Sequence, residues 1–336
     1  MTDILLKADA VHVRYPIRKA GLLPGAEPLW LKAVNGVDFT LNQGQTLGVV
    51  GESGCGKSTL ARAIIRLVEA QGRVTWKGGT DLLSLSPRQM LAYRADIQMI
   101  FQDPLASLNP RMTVGDSIAE PLKTHREHLS RRQIRAKVQE MMARVGLLPD
   151  QVNRYPHEFS GGQCQRIGIA RALIVEPKLI ICDEPVSALD VSIQAQIINL
   201  LMDLQKENGL ALLFIAHDLS VVKHISTEVM VLYLGRVMEI APRDSLYRKP
   251  LHPYTQALLS AAPVPDPAIE RAKTALPILG ELPSPLNPPS GCVFRTRCPK
   301  AANLCAEQVP ALKEQPSLDG HKVACHFPAT AYSGGG

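Results

Sequence analysis

The residues best suited to chemistry lie in a glycine-rich turn at residues 51–59 with the pattern G-x-x-x-x-G-K-S. An apolar run at 46–50 precedes the turn and a helical pattern at 57–68 follows it, so the turn joins a predicted strand to a predicted helix. Glycines let backbone N–H groups curl around phosphate oxygens, and the helix start adds its positive dipole end. The pattern predicts a nucleotide phosphate site, formed by Gly51, Glu52, Ser53, Gly54, Cys55, Gly56, Lys57, Ser58 and Thr59.

Two side chains of this phosphate loop (residues 51–59) have defined expected tasks. Lys57 reaches the β- and γ-phosphates as a point charge, and Ser58 ligates Mg²⁺. The alternative is a glycine turn that carries a lysine by chance, and the flanking strand and helix argue against it.

Two adjacent carboxylates follow a second apolar strand, at 179–182. The carboxyl ends of parallel strands meet at one edge of the sheet, and the phosphate loop also follows a strand at that edge. Asp183 and Glu184 are therefore expected beside the phosphate loop. Asp183 suits the organisation of Mg²⁺ through water, and Glu184 suits the general base that activates the attacking water. Alone, the pair would indicate a solvated helix start. After a phosphate loop, it predicts hydrolysis.

A second anion-ready helix start lies at residues 159–163, which we call the signature segment. Its serine and glycines precede a helical run at 165–175. One nucleotide needs one phosphate cradle, so a second cradle makes sense where this surface closes over a nucleotide held by a different subunit. A plain loop cap is the alternative. The residues concerned are Ser160, Gly161, Gly162 and Gln163.

Together the motifs resemble the nucleotide-binding domains of ATP-binding-cassette (ABC) transporters, with Walker A at 51–58, Walker B at 179–183 followed by Glu184, and the signature at 159–163. The resemblance covers residues 5–255. It implies an α/β P-loop NTPase fold with a RecA-like core and a helical subdomain at 103–175. It also implies that two such domains sandwich two ATP molecules, each between one subunit's phosphate loop and the other's signature segment.

The same resemblance assigns roles to further residues. Gln102 resembles the glutamine that contacts Mg²⁺ and borders the helix receiving the transmembrane subunits. Residues 187–190 resemble the loop at the dimer interface, and His217 resembles the switch histidine that reaches the γ-phosphate. Tyr15 resembles the aromatic residue that stacks on adenine, although residues 17–30 lengthen its distance to the phosphate loop.

Two residues depart from the family pattern. Phe159 replaces the usual leucine, and Cys164 replaces the usual basic residue or glutamine. Neither change removes a nucleotide-contacting group. A non-catalytic regulatory module is the competing interpretation, and the intact Lys57, Glu184 and His217 argue against it.

Several short apolar strands separated by helices predict a parallel sheet covered on both faces. No stretch reaches the roughly 18 uncharged apolar residues that span a bilayer, so the chain is expected to be cytosolic unless it is held at a membrane. The 37 basic residues exceed the 31 acidic ones only mildly. A basic run at 123–144 lacks interleaved aromatics, which favours a solvated helix face over nucleic-acid binding. No nucleic acid is expected as a partner.

The remainder of the chain, residues 256–336, is predicted to be a proline-rich connector and a four-cysteine extension that follow an ATPase domain at 1–255. Residues 251–259, 280–285 and 291–299 resemble the C-terminal extension of oligopeptide/dipeptide importer ATPases, most of all the second ATPase subunit of dipeptide permeases. That resemblance implies peptide import at the cytoplasmic face of the inner or plasma membrane. Its implied partners are a paralogous ATPase, two transmembrane permease subunits and an extracytoplasmic peptide-binding protein.

Related importers of nickel, glutathione or other small solutes remain open, because in this family the ATPase does not touch the cargo. A soluble ABC ATPase acting on nucleic acid is disfavoured, since such proteins usually carry two cassettes, a coiled-coil insertion or DNA-binding fingers. This chain has one cassette and no heptads.

Four cysteines crowd the end of the chain, at Cys292, Cys298, Cys305 and Cys325. Four thiolates bind Zn²⁺ tetrahedrally or hold an iron–sulfur cluster, and the spacing is looser than in zinc ribbons. The family resemblance favours a [4Fe–4S] cluster with a structural or regulatory role. Zinc and four unrelated reduced thiols are the alternatives. A metal would also explain how a proline-rich end folds.

Overall fold

The computed structural model describes residues 3–17, 29–262, 280–316 and 318–329. The strands are β1 (Ile4–Ile17), β2 (Leu29–Asn42), β3 (Thr46–Val50), β4 (Gln71–Trp76), β5 (Thr80–Asp81), β6 (Ile97–Ile100), β7 (Leu179–Asp183), β8 (Ala211–Ile215), β9 (Glu228–Tyr233), β10 (Arg236–Pro242), β11 (Lys313–Gln315) and β12 (Leu318–Val323). The helices are α1 (Lys57–Ile64), α2 (Pro87–Arg94), α3 (Val114–His125), α4 (Arg131–Arg144), α5 (Gly161–Leu173), α6 (Val191–Asn208), α7 (Leu219–Ile225), α8 (Arg243–Arg248), α9 (Pro253–Ala261) and α10 (Asn303–Glu307). Short 3-10 turns occupy Leu82–Ser84, Pro149–Asn153 and Pro156–Glu158.

The described chain divides into two units. The first contains Leu41–Thr46 and Ser84–Ala216 together with the start of the chain. The second contains Leu6–Thr40, Leu47–Leu83 and the described residues from His217 onward. The phosphate loop therefore belongs to the second unit, and the signature segment belongs to the first.

The first unit is built on three parallel strands in the order β6-β7-β8. Every residue of β7 and β8 is buried, which explains why their sequences, apart from the final Asp183 of β7, are continuous apolar runs rather than alternating ones. Helix α3 packs against α4 and α5. Helix α6 buries Ile197, Leu201 and Leu204 on one face and ends at Gly209 in the left-handed conformation. The strands thus fix the position of the two carboxylates at the end of β7, Asp183 and Glu184.

The second unit contains a mixed sheet in the order β11-β12-β10-β9-β3. Strands β3 and β9 are parallel, whereas β10 pairs antiparallel with both β9 and β12. A separate four-stranded sheet has the order β2-β1-β4-β5. Helix α1 follows β3 directly across the phosphate loop. The sequence-based prediction of an α/β fold is confirmed, but the sheet of this unit is mixed rather than parallel, because β9 and β10 form a hairpin through Leu234 and Gly235.

The extension joins the second unit through its own strands. Strand β12 pairs with β10, and its His321 is fully buried. The His321 Nε2 atom lies 2.6 Å from the Glu239 carboxylate, which also accepts the backbone N–H groups of Leu251 and His252. Protein contacts therefore anchor this end of the chain, where the sequence argument relied on a metal.

The proline-rich connector lies partly at residues 263–279, outside the described residues. The domain boundary between residues 255 and 256 stays a prediction. None of the described helices is long and apolar enough to cross a membrane.

Candidate functional site

The phosphate loop is shaped by close backbone contacts. Gly51 and Gly56 have φ values of 151° and 105°. A Cβ on Gly51 would lie 2.2 Å from the Leu232 carbonyl oxygen, and a Cβ on Gly56 would lie 2.2 Å from the Ala33 carbonyl oxygen. Only glycine fits both positions. The loop is therefore a tightly bent segment with no room for a Cβ at Gly51 or Gly56, and such a bend suits backbone N–H groups that bind nucleotide phosphates.

Helix α1 begins at Lys57, directly after Gly56, and Gly56 supplies no side-chain cap to its first turn. The Lys57 side chain is buried, and its Nζ atom donates to the carbonyl oxygens of Gly51 (2.8 Å) and Glu52 (3.2 Å). Lys57 thus lies across the inside of the loop. Ser53 and Gly54 are exposed at its tip, and Ser58 and Thr59 are half-buried in the first helical turn.

Cys55 is a buried member of the phosphate loop. Burial raises the pKa of its thiol, although the nearby Lys57 acts in the opposite direction. The thiol is therefore protonated at neutral pH and packs as a small apolar side chain.

The predicted carboxylates lie at the end of β7 in the first unit. Asp183 is buried as the last residue of the strand, with Ile215 of β8 as its register partner. Glu184 follows in the left-handed backbone region at φ 46°, which is rare for a residue with a side chain, and its N–H donates to the Ile215 carbonyl. Its carboxylate accepts from the Gln102 Nε2 atom at 2.8 Å. The structure thus brings Gln102 and Glu184 together.

The signature segment begins helix α5 with a closed cap. The Ser160 Oγ atom accepts from the Gln163 N–H at 3.3 Å, and the Gln163 side chain accepts from the Ser160 N–H at 2.9 Å. Ser160 and Gly161 are exposed. Cys164 is fully buried one turn further along, so this departure from the family pattern faces the core.

The two glycines of this segment differ in what surrounds them. A Cβ on Gly162 would lie 2.7 Å from Ile193 Cγ2, whereas a Cβ on Gly161 would meet only Leu189 Cδ2 at 3.7 Å, an ordinary contact. The signature segment and residues 187–190 are therefore neighbours within one unit. Gly162 is needed to pack α5 against α6, but the described residues around Gly161 leave room for a side chain.

The two remaining predicted nucleotide contacts belong to the second unit. His217 is exposed between β8 and α7, directly before Asp218, which caps α7 by accepting the Ser220 N–H. Tyr15 is half-buried near the end of β1. Their predicted roles at the γ-phosphate and the adenine stay predictions.

Residues from the C-terminal part of the chain contact the phosphate loop, and the sequence did not predict them. The Glu52 N–H donates to the Tyr254 hydroxyl at 2.9 Å, and the Glu52 carboxylate pairs with Arg297 at 2.8 Å. The partners lie 202 and 245 positions after Glu52, so no local pattern reveals them.

The four terminal cysteines lie near one another. Cys292 and Cys305 are buried, and Cys298 and Cys325 are half-buried. Burial raises the pKa of Cys325 to about 11, and the other three thiols add to this by their charges. The donor chemistry suits a metal or a cluster. Among the described residues, however, no group of three or more His, Cys, Asp or Glu side chains has an arrangement that could hold a metal ion.

The fold and the phosphate loop define a class of protein, and comparisons with known families and structures agree with it. The model of the ABC transporter family matches residues 34–187. A dimeric ATP-binding cassette in a post-hydrolysis state bound to ADP and Pi is 27% identical with a TM-score of 0.63, covering 71% of this chain and 99% of its own. The cbiO1 protein of Clostridium perfringens, part of the ABC transporter complex cbiONQ, is 26% identical with a TM-score of 0.62 and covers 73% and 91%. The chain is an ABC-type ATP-binding cassette.

The C-terminal part and the full-length relatives narrow the assignment. The model of the oligopeptide/dipeptide transporter C-terminal region matches residues 238–305. The oligopeptide transport ATP-binding protein OppF of Escherichia coli (strain K12) is 61% identical over 96% of both chains. The di/tripeptide transport ATP-binding protein DppF of Pseudomonas aeruginosa is 53% identical over 96% of this chain and 98% of its own. The chain belongs to the ATP-binding proteins of the oligopeptide/dipeptide ABC transporter family.

Proposed function

We propose that this chain is the ATP-hydrolysing subunit that energises the import of dipeptides or oligopeptides through a membrane ABC transporter. The observation that carries the proposal is the pairing of Gln102 with Glu184 at the end of β7, because it gives the proposed general base a fixed hydrogen-bond partner within its own unit. The peptide cargo is supported by the transport proteins that the chain resembles over nearly its whole length.

In the proposed mechanism, the N–H groups of the phosphate loop and the Lys57 ammonium bind the nucleotide phosphates. The bound ATP would bring Mg²⁺, which neutralises the charge developing on the phosphates. Ser58, Gln102 and Asp183 would ligate the ion directly or through water. Glu184 accepts the proton of the attacking water, and His217 contacts the γ-phosphate.

The signature segment would act on a nucleotide held by a second cassette. Gly161 supports this part of the proposal. The described residues around it leave room for a Cβ, so packing within the chain does not require a glycine there. Gly161 is also exposed at the start of a helix, where a phosphate can approach closely. ATP binding would then favour the closed pair of cassettes, and hydrolysis would allow the pair to open. The partner cassette would be a paralogous ATPase. Two permease subunits would hold the pair at the cytoplasmic face of the membrane.

The cargo is tested in proteoliposomes that contain this chain, its partner ATPase and the permease subunits. We expect ATP hydrolysis to rise when a peptide-loaded extracytoplasmic binding protein is added. If binding proteins loaded with nickel or glutathione stimulate ATP hydrolysis and the peptide-loaded protein does not, the peptide assignment is wrong, but the assignment as an ATPase stands. Salt-dependent affinity for nucleic acid would favour a soluble nucleic-acid-associated ATPase instead.

For the four cysteines, we propose a [4Fe–4S] cluster, with zinc as the alternative. The donor set supports the proposal, and the arrangement of the described side chains does not, so no catalytic step depends on it. Anaerobic purification followed by a visible spectrum and by iron and zinc analysis tests it. About four iron atoms per chain with broad visible absorbance are expected. Zinc alone, or no metal in a folded sample, would overturn the cluster.

A further inference from the structure

Glu52, the second residue of the phosphate loop, is held at two points by the C-terminal part of its own unit. Its backbone N–H donates to the Tyr254 hydroxyl at 2.9 Å. Its carboxylate accepts from the Arg297 Nη1 atom at 2.8 Å, and the side chains of Arg297 and Glu52 are only 9% and 23% exposed. The same nitrogen of Arg297 lies 3.4 Å from the Tyr233 hydroxyl. Both the main chain and the side chain of Glu52 are therefore restrained.

The two tethers rest on a packed aromatic base. Tyr233 from the end of β9, Tyr254 from α9 and Phe294 from the cysteine segment (residues 292–325) pack on one another with ring centroids 4.7–5.3 Å apart. All three rings are 0–1% exposed. The Arg297 guanidinium lies 5.8 Å from the Tyr233 ring centroid. Because the three aromatic rings are close-packed, they fix the position of Arg297 and do not move with it.

Arg297 is also tied directly to the four-cysteine segment. It precedes Cys298, and its backbone N–H donates to the Phe294 carbonyl at 3.0 Å. The Arg297 guanidinium is charged at any ordinary pH, and it hydrogen-bonds to the Glu52 carboxylate and the Tyr233 hydroxyl. A charge held this far from water is costly to leave unpaired, so Arg297 and Glu52 remain together when the segment is in place.

We propose that Arg297, with Tyr254 as a second anchor, is a positioning residue for the phosphate loop. Holding Glu52 orders the loop before the nucleotide arrives, so part of the ordering cost of binding is removed. Nucleotide affinity therefore depends on the cysteine segment being folded against the loop. The inference deepens the proposed function, since it rests on residues 51–59 binding the phosphates of ATP.

In the alternative, purely structural role, Glu52 would merely anchor the cysteine segment. A structural anchor affects thermal stability, whereas a positioning residue affects the affinity for ATP at temperatures where the protein is fully folded. The two roles also predict different kinetics: a positioning residue for binding raises KM more than it lowers kcat.

The test compares Arg297→Met with Arg297→Lys in the full-length chain, using calorimetric titration with Mg-ATP and steady-state hydrolysis with the partner subunits. We expect Arg297→Met to raise the Kd and KM for ATP about tenfold with kcat changed by less than about twofold, within the usual range of couplings between sites. Arg297→Lys should fall between Met and the natural residue. Unchanged affinity in folded Arg297→Met protein would overturn the inference.

Arg295 provides the matched control. It is an arginine of the same segment, but it donates to the carbonyl and hydroxyl oxygens of Ser290 and not to the phosphate loop. Arg295→Met should therefore leave the affinity for ATP unchanged. An equal loss of affinity in this variant would mean that any damage to the segment weakens the loop, and the specific role of Arg297 would be overturned.

If Arg297→Met does not fold, Tyr254→Phe keeps the question open to measurement, because it retains the ring and removes only the hydroxyl that accepts from Glu52. We expect about a threefold rise in the Kd for ATP, in line with the loss of one hydrogen bond. Unchanged affinity in both Tyr254→Phe and Arg297→Lys would overturn the inference.

Hydrogen exchange separates this inference from the proposed function. Coupling is reciprocal, so ATP should slow amide exchange in residues 290–308 of the natural chain. In Lys57→Ala, which should no longer bind the phosphates, ATP should have no such effect. Failure of the natural chain to bind ATP would show that the proposed function fails. Normal binding by the natural chain with no change in residues 290–308 would show that only this inference fails.

Discussion

The phosphate loop and the signature segment are both glycine-containing starts of helices, but they are built in different ways. The loop bends through positive φ at Gly51 and Gly56, and backbone carbonyls of its own unit press on both positions. The signature segment has an ordinary helix start that Ser160 and Gln163 cap, and it exposes Gly161. Backbone contacts within its own unit therefore require glycine at two positions of the phosphate loop, whereas no comparable contact requires glycine at position 161.

This difference separates two tasks. A cradle shaped by its own chain determines how tightly that chain binds a phosphate. An exposed, self-capped helix start contributes when a phosphate approaches from outside. The loop should accordingly affect the Kd for ATP, and the signature segment should affect only the turnover of an assembled pair.

The largest effect is expected from Glu184→Gln, which should separate binding in the loop from hydrolysis. Removing the proposed base should lower kcat by about 10²–10⁴-fold, while the amide keeps the shape of the side chain next to Gln102. The Kd for ATP should change little. Phosphate release and nucleotide titration on the same preparation measure both values. Normal hydrolysis would show that another group is the base.

A large effect is also expected from Ser160→Asp. Aspartate caps a helix as well as serine does, so α5 should remain stable, but its charge would repel an approaching phosphate. We expect turnover of the assembled pair to fall by about 10²-fold, the size typical of lost anion stabilisation, with the ATP affinity of the isolated chain unchanged.

Ser160→Ala is the control for this experiment. It removes the cap, which costs about 1 kcal/mol of helix stability, and adds no charge. Ser160→Ala should therefore lower the melting temperature more than Ser160→Asp does, and it should lower the turnover of the pair less than Ser160→Asp does. Equal turnover in the two variants would remove the distinction between the two helix starts.

Acid should destabilise the second unit, which carries the phosphate loop, because His252 becomes protonated. Burial lowers the pKa of His252 from 6.5 to about 4, although the charge of Glu239 opposes the shift. Its Nδ1 atom accepts the Tyr254 N–H, so the neutral ring is the form that fits. The unfolded chain binds this proton near pH 6.5, so the stabilisation is complete above that pH and is lost as the pH falls towards 4.

The expected loss is about 3 kcal/mol over this pH range, measured from denaturant unfolding at several pH values. His252→Asn keeps a side chain that caps α9 but does not titrate, so its unfolding free energy should change less steeply between pH 6.5 and 4. An identical slope in the two proteins would mean that other groups cause the acid sensitivity.

The smallest effect tests the two signature glycines against each other. Gly161→Ala should leave the melting temperature unchanged, because the added Cβ meets only Leu189 at an ordinary distance, yet turnover of the pair should fall about tenfold through crowding of the phosphate. Gly162→Ala should instead lower the melting temperature, since its Cβ would lie 2.7 Å from Ile193. Normal turnover in Gly161→Ala would contradict a role at a partner's nucleotide.

The sequence predicted those parts of the site that have a local pattern. The strand, loop and helix around Lys57 follow the predicted order, although α1 ends at Ile64 rather than at residue 68. Glu184 follows a continuous apolar strand, as expected. The family pattern also indicated Gln102, whose contact with Glu184 joins residues 82 positions apart.

The contacts that hold the phosphate loop could not be predicted in this way. The partners of Glu52 are a tyrosine and an arginine in segments whose own patterns are those of a helix start and a cysteine cluster. Strand β11 has only three residues, all polar or charged, so no apolar alternation marks it. Cysteine spacing indicated a metal, but spacing alone does not fix how the thiols are arranged in space.

The separation of Arg297 from Glu52 has a consequence for synthesis on the ribosome. The phosphate loop emerges early, and the arginine that holds it emerges 245 residues later. If Arg297 positions the loop, a nascent chain binds ATP weakly until its cysteine segment has been translated and has folded back. Full nucleotide affinity would then mark a finished chain, and a prematurely terminated one would compete poorly for ATP.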